Sequence, residues 1–292
     1  MSSLTKAIEE SITLSEITKK NYLNKASLLT KLIGKPLEYI IAHPKPAIKK
    51  IKTVYSNIGS RKTFYTFILA VFRYNPELNL KHKNSYDIWF KEFTESDEII
   101  SDKYKNNEPS EKQELGYVKF EDIVKKRDEL EVGSTNHLLL SFYTYIPPMR
   151  SDYGRIRLYD SATEITEPNY ILMGKTPMLV LKTFKTAKHR EKEYNHILPK
   201  EIVATLEKNL SLFPREWLFV NNNGTPYIKN SYTQWSGRVL RQLFNKPLTV
   251  SLIRHAYINA LDFNKLTIKE KEKIAENMGH TVATQDKYRI IL

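Results

Sequence analysis

A polar, acidic stretch near the middle of the chain limits what these 292 residues can fold into. Residues 96–116 hold few apolar side chains, so they cannot fill a core and are predicted to form a linker. The charge also changes sign around this stretch, with net charges of +10 over 1–85, −6 over 86–133 and +9 over 134–292. We therefore expect a domain at 1–100, a linker at 101–116 and a second domain at 117–292.

The overall charge indicates what such a protein binds. Lys and Arg number 46 against 33 Asp and Glu, which gives a net charge of +13. A protein this basic usually binds a polyanion. Two basic domains on a flexible linker suit a clamp that closes around double-stranded DNA, whereas the alternative is a charged surface with an incidental loop.

Several classes of protein are excluded by what the sequence lacks. Without cysteine the chain has no disulfide, zinc ribbon, iron–sulfur cluster or cysteine nucleophile. Its histidines form no metal-ligand pattern, and it has no glycine-rich phosphate-binding motif. No apolar run is long enough to cross a membrane, and residues 1–10 lack a secretory signal. We therefore expect a soluble intracellular protein, and the sequence does not choose between cytoplasm, nucleus and viral factory.

The first domain is predicted to be helical. Ser15 precedes an amphipathic run that Gly34 ends, which predicts a capped helix. Ser60 is predicted to cap a second, nearly apolar helix that should be buried. Arg61 and Lys62 then lie in its first turn, beside free backbone N–H groups that suit phosphate binding. The alternative for both residues is a solvated helix start.

The second domain mixes both element types, so the expected fold class is α+β: mainly helical, with a small sheet and a hairpin. Residues 120–130 and 136–146 have helical patterns, and from residue 230 onward the pattern is helical with a break near 262–267. Strands are predicted at 169–173, 177–186 and 191–199. The last two are expected to form a hairpin with a basic tip.

Two arginines in the second domain need an explanation. Arg150 follows two prolines, so it is held at a fixed chain reversal; the alternative is a surface arginine on a turn. Ser251 and Arg254 share one face of a helix that is otherwise apolar. A buried arginine needs an anionic partner, which either the protein or a phosphate provides.

The other two polar patches are the hairpin tip and the C-terminal region. Lysines at 182–188 either reach into a DNA groove or protect an edge strand. Gly279 is a helix-ending residue, and His280 follows it. Tyr288 is expected on the next helix, where a lone tyrosine more often packs at an interface than reacts.

The order of these residues resembles the tyrosine recombinase (phage-integrase) family. Its signature is an arginine, a lysine, His-x-x-Arg, a histidine or tryptophan, and a tyrosine, and it matches residues 117–292. The segments PPMRSDY, FKTAK, SLIRHAYIN and MGHTVATQDKY look most like the branch found in large DNA viruses of eukaryotes and their satellites. The resemblance assigns catalytic roles to Arg150, Lys185 (with Lys188 as runner-up), Arg254, His280 and Tyr288.

The match departs from the family at one catalytic position. Ser251 stands where the family usually has the histidine of His-x-x-Arg, so the acid–base contribution of that histidine is absent here. His255, next to Arg254, is expected to support the site structurally.

The resemblance implies a fold and a reaction. A helical core-binding domain precedes the catalytic domain, and the protein cuts and rejoins DNA at specific sites through a 3′-phosphotyrosyl intermediate. The residue types suit this chemistry, because two arginines bind phosphate oxygens bidentately and a lysine can protonate the leaving 5′-oxygen. The family works without a metal, ATP or another cofactor and assembles on double-stranded DNA as a homotetramer. Integration of a mobile or viral genome is the expected use.

The sequence also leaves other activities open. A type IB topoisomerase has the same active site but relaxes supercoils as a monomer. A non-catalytic DNA-binding relative is suggested by Ser251. An RNA-binding protein has little support, since no RNP-like aromatic strand motif is present.

Overall fold

A computed structural model describes residues 3–184, 187 and 193–291, apart from the side chain of Glu164. The chain divides into an N-terminal unit, Met1–Asn106, and a C-terminal unit, Asn107–Leu292. The stretch predicted as a linker, residues 101–116, is partly helical. One helix ends within it at Lys105, and a second helix spans Glu111–Gly116, where Ser110 and Gln113 form a capping box. The assignment of a core-binding domain, a linker and a catalytic domain stays a prediction.

The N-terminal unit is built from helices in its described residues. They are α1 (Ser3–Glu9), α2 (Glu16–Ile33), α3 (Leu37–Ala42), α4 (Pro44–Val54), α5 (Ile58–Tyr74), α6 (Glu77–Lys81) and α7 (Lys83–Lys105). Ser15 caps α2 by accepting the Thr18 N–H at 3.2 Å, and Gly34 ends it at a φ of +70°, which confirms both predicted ends.

The predicted start of α5 is wrong by three residues. The Asn57 side chain, not Ser60, is the cap, because its Oδ1 accepts the Ser60 N–H at 3.0 Å. Arg61 therefore lies one turn inside the helix, where its N–H bonds the Asn57 carbonyl. The apolar centre of α5 is buried as predicted, and it packs against Trp89 of α7.

The C-terminal unit combines helices with one small sheet. Its helices are α8 (Glu111–Gly116), α9 (Phe120–Glu129), α10 (Thr135–Thr144), α11 (Lys200–Leu212), α12 (Lys229–Phe244), α13 (Val250–Ala260), α14 (Ile268–Asn277) and α15 (Val282–Asp286). Its strands are β1 (Arg157–Tyr159), β2 (Asn169–Leu172), β3 (Met178–Leu181) and β4 (Tyr194–Ile197). The expected α+β class, mainly helical with a small sheet, is confirmed.

The sheet has the order β1-β2-β3-β4. Strands β1 and β2 are parallel, and the other pairs are antiparallel, with Tyr170 opposite Val180 and Leu181 opposite Tyr194. The predicted strand over 177–186 ends early, at Leu181. The Lys182 N–H is shared between the Pro168 carbonyl and the Asn169 Oδ1, which also accepts the Thr183 N–H. The three-residue β1 was not predicted, since it is too short to show an alternating pattern.

Helices α10 and α13 both contribute to the core of this unit. Leu138, Leu139 and Phe142 of α10 are fully buried, and Ile253 of α13 lies in the same cluster. The chain reversal that follows α10 and the end of α14 both lie against α13. This packing places the polar residues at those three points beside one another.

Candidate active site

Helix α13 carries a buried arginine near its middle. The Thr249 side chain caps the helix by accepting the Leu252 N–H at 3.3 Å, and the surrounding apolar residues pack into the core. Arg254 is only 1% exposed. Burial lowers the pKa of its guanidinium, while Tyr288 acts in the opposite direction.

The Arg254 guanidinium joins three separate chain segments. It donates to the Met278 carbonyl at 3.0 Å, to the Pro148 carbonyl, and through Nε to the Tyr288 hydroxyl oxygen at 3.1 Å. A guanidinium can only donate, so every partner here is an acceptor. Arg254 therefore ties the turn after α10 to the end of α14 and to the predicted nucleophile.

The same guanidinium determines the tautomer of His280. Its Nη2 lies 3.0 Å from the His280 Nδ1. Since the arginine donates, that ring nitrogen accepts and carries no proton. His280 is then neutral with its proton on Nε2, and it is 7% exposed.

Arg150 is held against the loop that leads to His280. The Tyr143 hydroxyl donates to the Arg150 carbonyl at 3.2 Å, and the Arg150 Nη1 donates to the Gly279 carbonyl at 2.8 Å. Gly279 has a φ of +67°, which favours glycine, and a Cβ there would lie 3.3 Å from Met149. The close approach of the two loops thus depends on this glycine.

Tyr288 lies just after α15 and not on it. Its N–H bonds the Gln285 carbonyl at 2.9 Å in the turn that ends the helix, so the predicted helical position is corrected. The Tyr288 ring is 4.8 Å from the His255 ring and 5.2 Å from the His280 ring, centroid to centroid. The Arg254 guanidinium carbon lies 4.7 Å from the ring centroid.

The main chain of the tyrosine segment, residues 287–291, is bound by polar side chains of α13. The His255 Nδ1 lies 2.7 Å from the Tyr288 carbonyl oxygen. The Asn259 side chain donates to the Ile290 carbonyl at 2.9 Å and accepts the Ile290 N–H at 3.1 Å. The supporting role expected for His255 thus has a specific contact.

A carboxyl group lies close to the two arginines. Burial raises the pKa of Asp152, and the positive charges of Lys229, Arg150 and Arg254 oppose that rise. Ser151, Asp152 and Lys229 also line a cavity of about 290 Å³. Sequence reasoning missed Asp152, although its position two residues after Arg150 was a usable signal.

Of the remaining predicted site residues, those that the structure describes are not part of this cluster. Ser251 is exposed in the first turn of α13. Lys185 and Lys188 lie outside the described residues. Lys62 forms an ion pair with Asp97 and lies 5.3 Å from the centroid of the Phe93 ring, while Arg61 is half-buried in the other unit.

Two further observations concern the described residues only. Across residues 3–184, 187 and 193–291, no group of three or more His, Cys, Asp or Glu side chains is arranged to hold a metal ion. In the same part of the chain, none of the helices combines the length and apolar character needed to cross a membrane.

Comparison with known proteins identifies the fold. No protein-family model and no curated protein sequence matches the chain. A structure of lambda integrase as a dimer bound to a COC′ core site has a TM-score of 0.58 at 13% identity, covering 97% of this chain and 74% of the other. The chain has the tyrosine recombinase fold. A lambda integrase fragment (75–356) on the same site has a TM-score of 0.56 at 11% identity, with 97% and 91% covered. A lambda integrase tetramer bound to a Holliday junction has a TM-score of 0.57 at 12% identity, with 98% and 75% covered.

Proposed function

We propose that this chain is a tyrosine recombinase that cuts and rejoins DNA strands through Tyr288. The observation that carries the proposal is the bond from the Arg254 Nε to the Tyr288 hydroxyl. His280 contacts the same guanidinium, and Arg150 bonds the carbonyl of Gly279, the residue before His280. A cationic donor on the tyrosine oxygen, with a second arginine on the neighbouring loop, suits a reaction in which negative charge develops on phosphate and phenol oxygens. The tyrosine recombinase fold supports the same conclusion.

The proposed reaction is an in-line displacement at phosphorus. Tyr288 loses its phenolic proton to water, and its oxygen forms a bond to the phosphorus as the bond to the 5′-oxygen breaks. Arg150, which is half-buried, binds the nonbridging oxygens, and Lys185 gives a proton to the leaving 5′-oxygen. Because the phosphotyrosyl bond keeps the energy of the broken linkage, attack by a 5′-hydroxyl of another strand restores the DNA without ATP.

The test is a covalent-trapping assay that works without a known target sequence. The full chain is mixed with a library of nicked duplexes of random sequence, and the reaction is stopped with SDS. The expected result is an adduct that mass spectrometry maps to Tyr288 and that Tyr288→Phe lacks. Tyr257→Phe is the matched control. Tyr257 lies on α13, as Arg254 does, and its ring packs edge-on against Phe120 of α9. An adduct on another tyrosine, or DNA binding without any adduct, would overturn the proposal.

A non-catalytic DNA-binding protein is the second candidate, and the serine at position 251 favours it. Ser251 occupies the position of an expected acid–base histidine and is exposed on α13. If the chain binds DNA and forms no adduct, the Ser251→His variant tests whether this histidine alone is missing. Gain of the Tyr288 adduct in Ser251→His would identify the chain as an inactivated recombinase.

We also propose that the N-terminal unit contacts DNA and that the active assembly is a homotetramer. Lys45, Lys49 and Lys52 line a cavity of about 560 Å³ in the N-terminal unit, where Lys52 pairs with Glu92 at 2.8 Å and the two other lysines support phosphate binding. The tetramer proposal rests on the likeness to the lambda integrase tetramer on a Holliday junction. Affinity for duplex DNA should fall steeply as salt rises, and recombinant joints should require two DNA sites, which a topoisomerase does not need.

The biological use that we propose is integration of a mobile or viral genome. Its support is the likeness of PPMRSDY, SLIRHAYIN and MGHTVATQDKY to the branch found in large DNA viruses and their satellites. The preferred sequence recovered by trapping is the starting point of the test. Integration requires that a site of this sequence in the element's own DNA recombine with a site in host DNA, whereas recombination only between two element sites would contradict it.

A further inference from the structure

The imidazole of His255 lies between the main chain of Tyr288 and the side chain of Gln113. Its Nδ1 is 2.7 Å from the Tyr288 carbonyl oxygen, and its Nε2 is 3.2 Å from the Gln113 amide nitrogen. A carbonyl oxygen only accepts, so Nδ1 carries a proton. An amide nitrogen only donates, so Nε2 accepts and carries none. These two contacts select the neutral Nδ1–H tautomer.

The orientation of the Gln113 amide is itself determined by the start of α8. The Gln113 Oε1 accepts the backbone N–H of Ser110 at 2.8 Å and the Ser110 hydroxyl at 2.8 Å. If the amide were turned over, its NH₂ would face the Ser110 N–H, and two donors would be opposed. The bond that caps α8 therefore directs the amide nitrogen toward His255.

The surroundings keep this imidazole neutral. His255 is 7% exposed, and burial lowers its pKa. The bond to the Tyr288 carbonyl acts in the opposite direction, and the positive charge of Arg254 on the same helix lowers the pKa further. Near neutral pH the choice is thus between two neutral tautomers, which the neighbouring donors and acceptors decide.

We propose that Gln113 is a positioning residue for Tyr288, acting through the tautomer of His255. In the other tautomer the Nδ1 lone pair would face the Tyr288 carbonyl across 2.7 Å, and repulsion would displace this part of the main chain. Since Asn259 binds Ile290 at two points, the displacement falls on Tyr288 and moves its hydroxyl away from Arg254. The inference rests on the proposed function, because it concerns the position of the Tyr288 hydroxyl, the proposed nucleophile.

The first variant is Gln113→Met, which has a side chain of similar length but neither bonds Ser110 nor donates to His255. We expect ¹⁵N NMR of histidine-labelled protein to show a smaller population of the Nδ1–H tautomer at His255, because the Tyr288 carbonyl still favours it but no amide donates to Nε2. We also expect the rate of adduct formation, on the duplex recovered by trapping, to fall at least tenfold with DNA affinity unchanged. The NMR arm uses the protein without DNA.

Glu270→Met is the matched control. Glu270 caps α14 through the Thr267 N–H at 2.8 Å and the Thr267 hydroxyl at 2.7 Å, which is the arrangement of Gln113 and Ser110. The control therefore loses an equivalent helix cap without touching His255. Its tautomer signal and rate of adduct formation should equal those of the unmodified protein.

Gln113→Glu separates the cap from the contact with His255. The introduced carboxylate still accepts from Ser110 but cannot donate to Nε2, and its charge raises the pKa of His255 against the opposing charge of Arg254. Below that raised pKa the imidazolium donates both to the introduced carboxylate and to the Tyr288 carbonyl. The variant should therefore cleave relatively faster at acid pH and lose rate as pH rises, compared with the unmodified protein.

Any of three results would overturn the proposal. The first is an unchanged tautomer in Gln113→Met, and the second is an altered tautomer with an unchanged rate of adduct formation. The third is equal slowing by Glu270→Met, which would reduce Gln113 to a helix cap. If the unmodified protein forms no adduct, the proposed function fails, and the tautomer measurement alone still shows whether Gln113 controls His255.

Discussion

Replacing Arg254 with lysine tests whether this guanidinium holds the site together. Arg254→Lys keeps a positive charge and most of the aliphatic stem. It removes the planar array of donors that reaches Tyr288, His280 and the carbonyls of Pro148 and Met278. A lysine ammonium has all its donors on one nitrogen and can serve only acceptors close to a single point.

The expected loss follows from the number of bonds. A hydrogen bond to a charged group contributes about 1.5–3 kcal/mol to stability, and lysine forfeits at least two of the four. We expect the free energy of unfolding of the C-terminal unit to fall by about 3 kcal/mol. With a urea dependence of about 2 kcal/mol per molar, the midpoint should fall by about 1.5 M.

The assay must follow each unit separately, because a chain with two units need not unfold in one step. Trp89 lies in the N-terminal unit, and Trp217 and Trp235 lie in the C-terminal unit. Fluorine NMR of 5-fluorotryptophan-labelled protein resolves these signals during urea titration. Only the Trp217 and Trp235 transitions should shift in Arg254→Lys.

Arg150→Lys is the graded control. Within the described residues the Arg150 side chain makes one bond, to the Gly279 carbonyl, compared with four for Arg254. It should lower the midpoint by about half as much, corresponding to about 1.5 kcal/mol. A midpoint shift below about 0.3 M in Arg254→Lys would refute the reasoning, because the two carbonyls would then not depend on this guanidinium.

Three other predictions test the site and its surroundings. Tyr288→Phe should abolish the covalent adduct and lower the free energy of unfolding by only about 1.5 kcal/mol, as measured by urea titration, since one bond from Arg254 is lost. Asn259→Leu removes both bonds to the Ile290 main chain, so hydrogen exchange at residues 288–291 should accelerate and adduct formation should slow; unchanged exchange would contradict this. Burial lowers the pKa of His137, His196 and His255 below the ordinary value of 6.5. The folded state then binds fewer protons than the unfolded state, so the unfolding temperature should fall as pH drops below about 6.5, and a constant value down to pH 5 would oppose this.

Several features could be predicted from sequence because they depend on near neighbours. The capped ends of α2 and the buried centre of α5 follow from local spacing, and the break predicted near 262–267 lies between the end of α13 at Ala260 and the start of α14 at Ile268. Gly279 was recognised as a helix end because few other residues adopt its φ. The start of α5 failed because Asn57 and Ser60 are both good caps, and local sequence does not rank them.

Outside the predicted linker and the short β1, the sequence by itself determined the element types, and it identified the polar residues that had to be explained, since both follow from residue types and periodicity along a few turns of chain. Only the tertiary structure decided that Arg254 would bond the Pro148 carbonyl 106 residues away, and that Arg150 would bond the Gly279 carbonyl across 129 residues. The same holds for the contact between Gln113 and His255, which are 142 residues apart. Such pairings depend on how complete helices pack around a shared core, and no local pattern in the sequence records that packing.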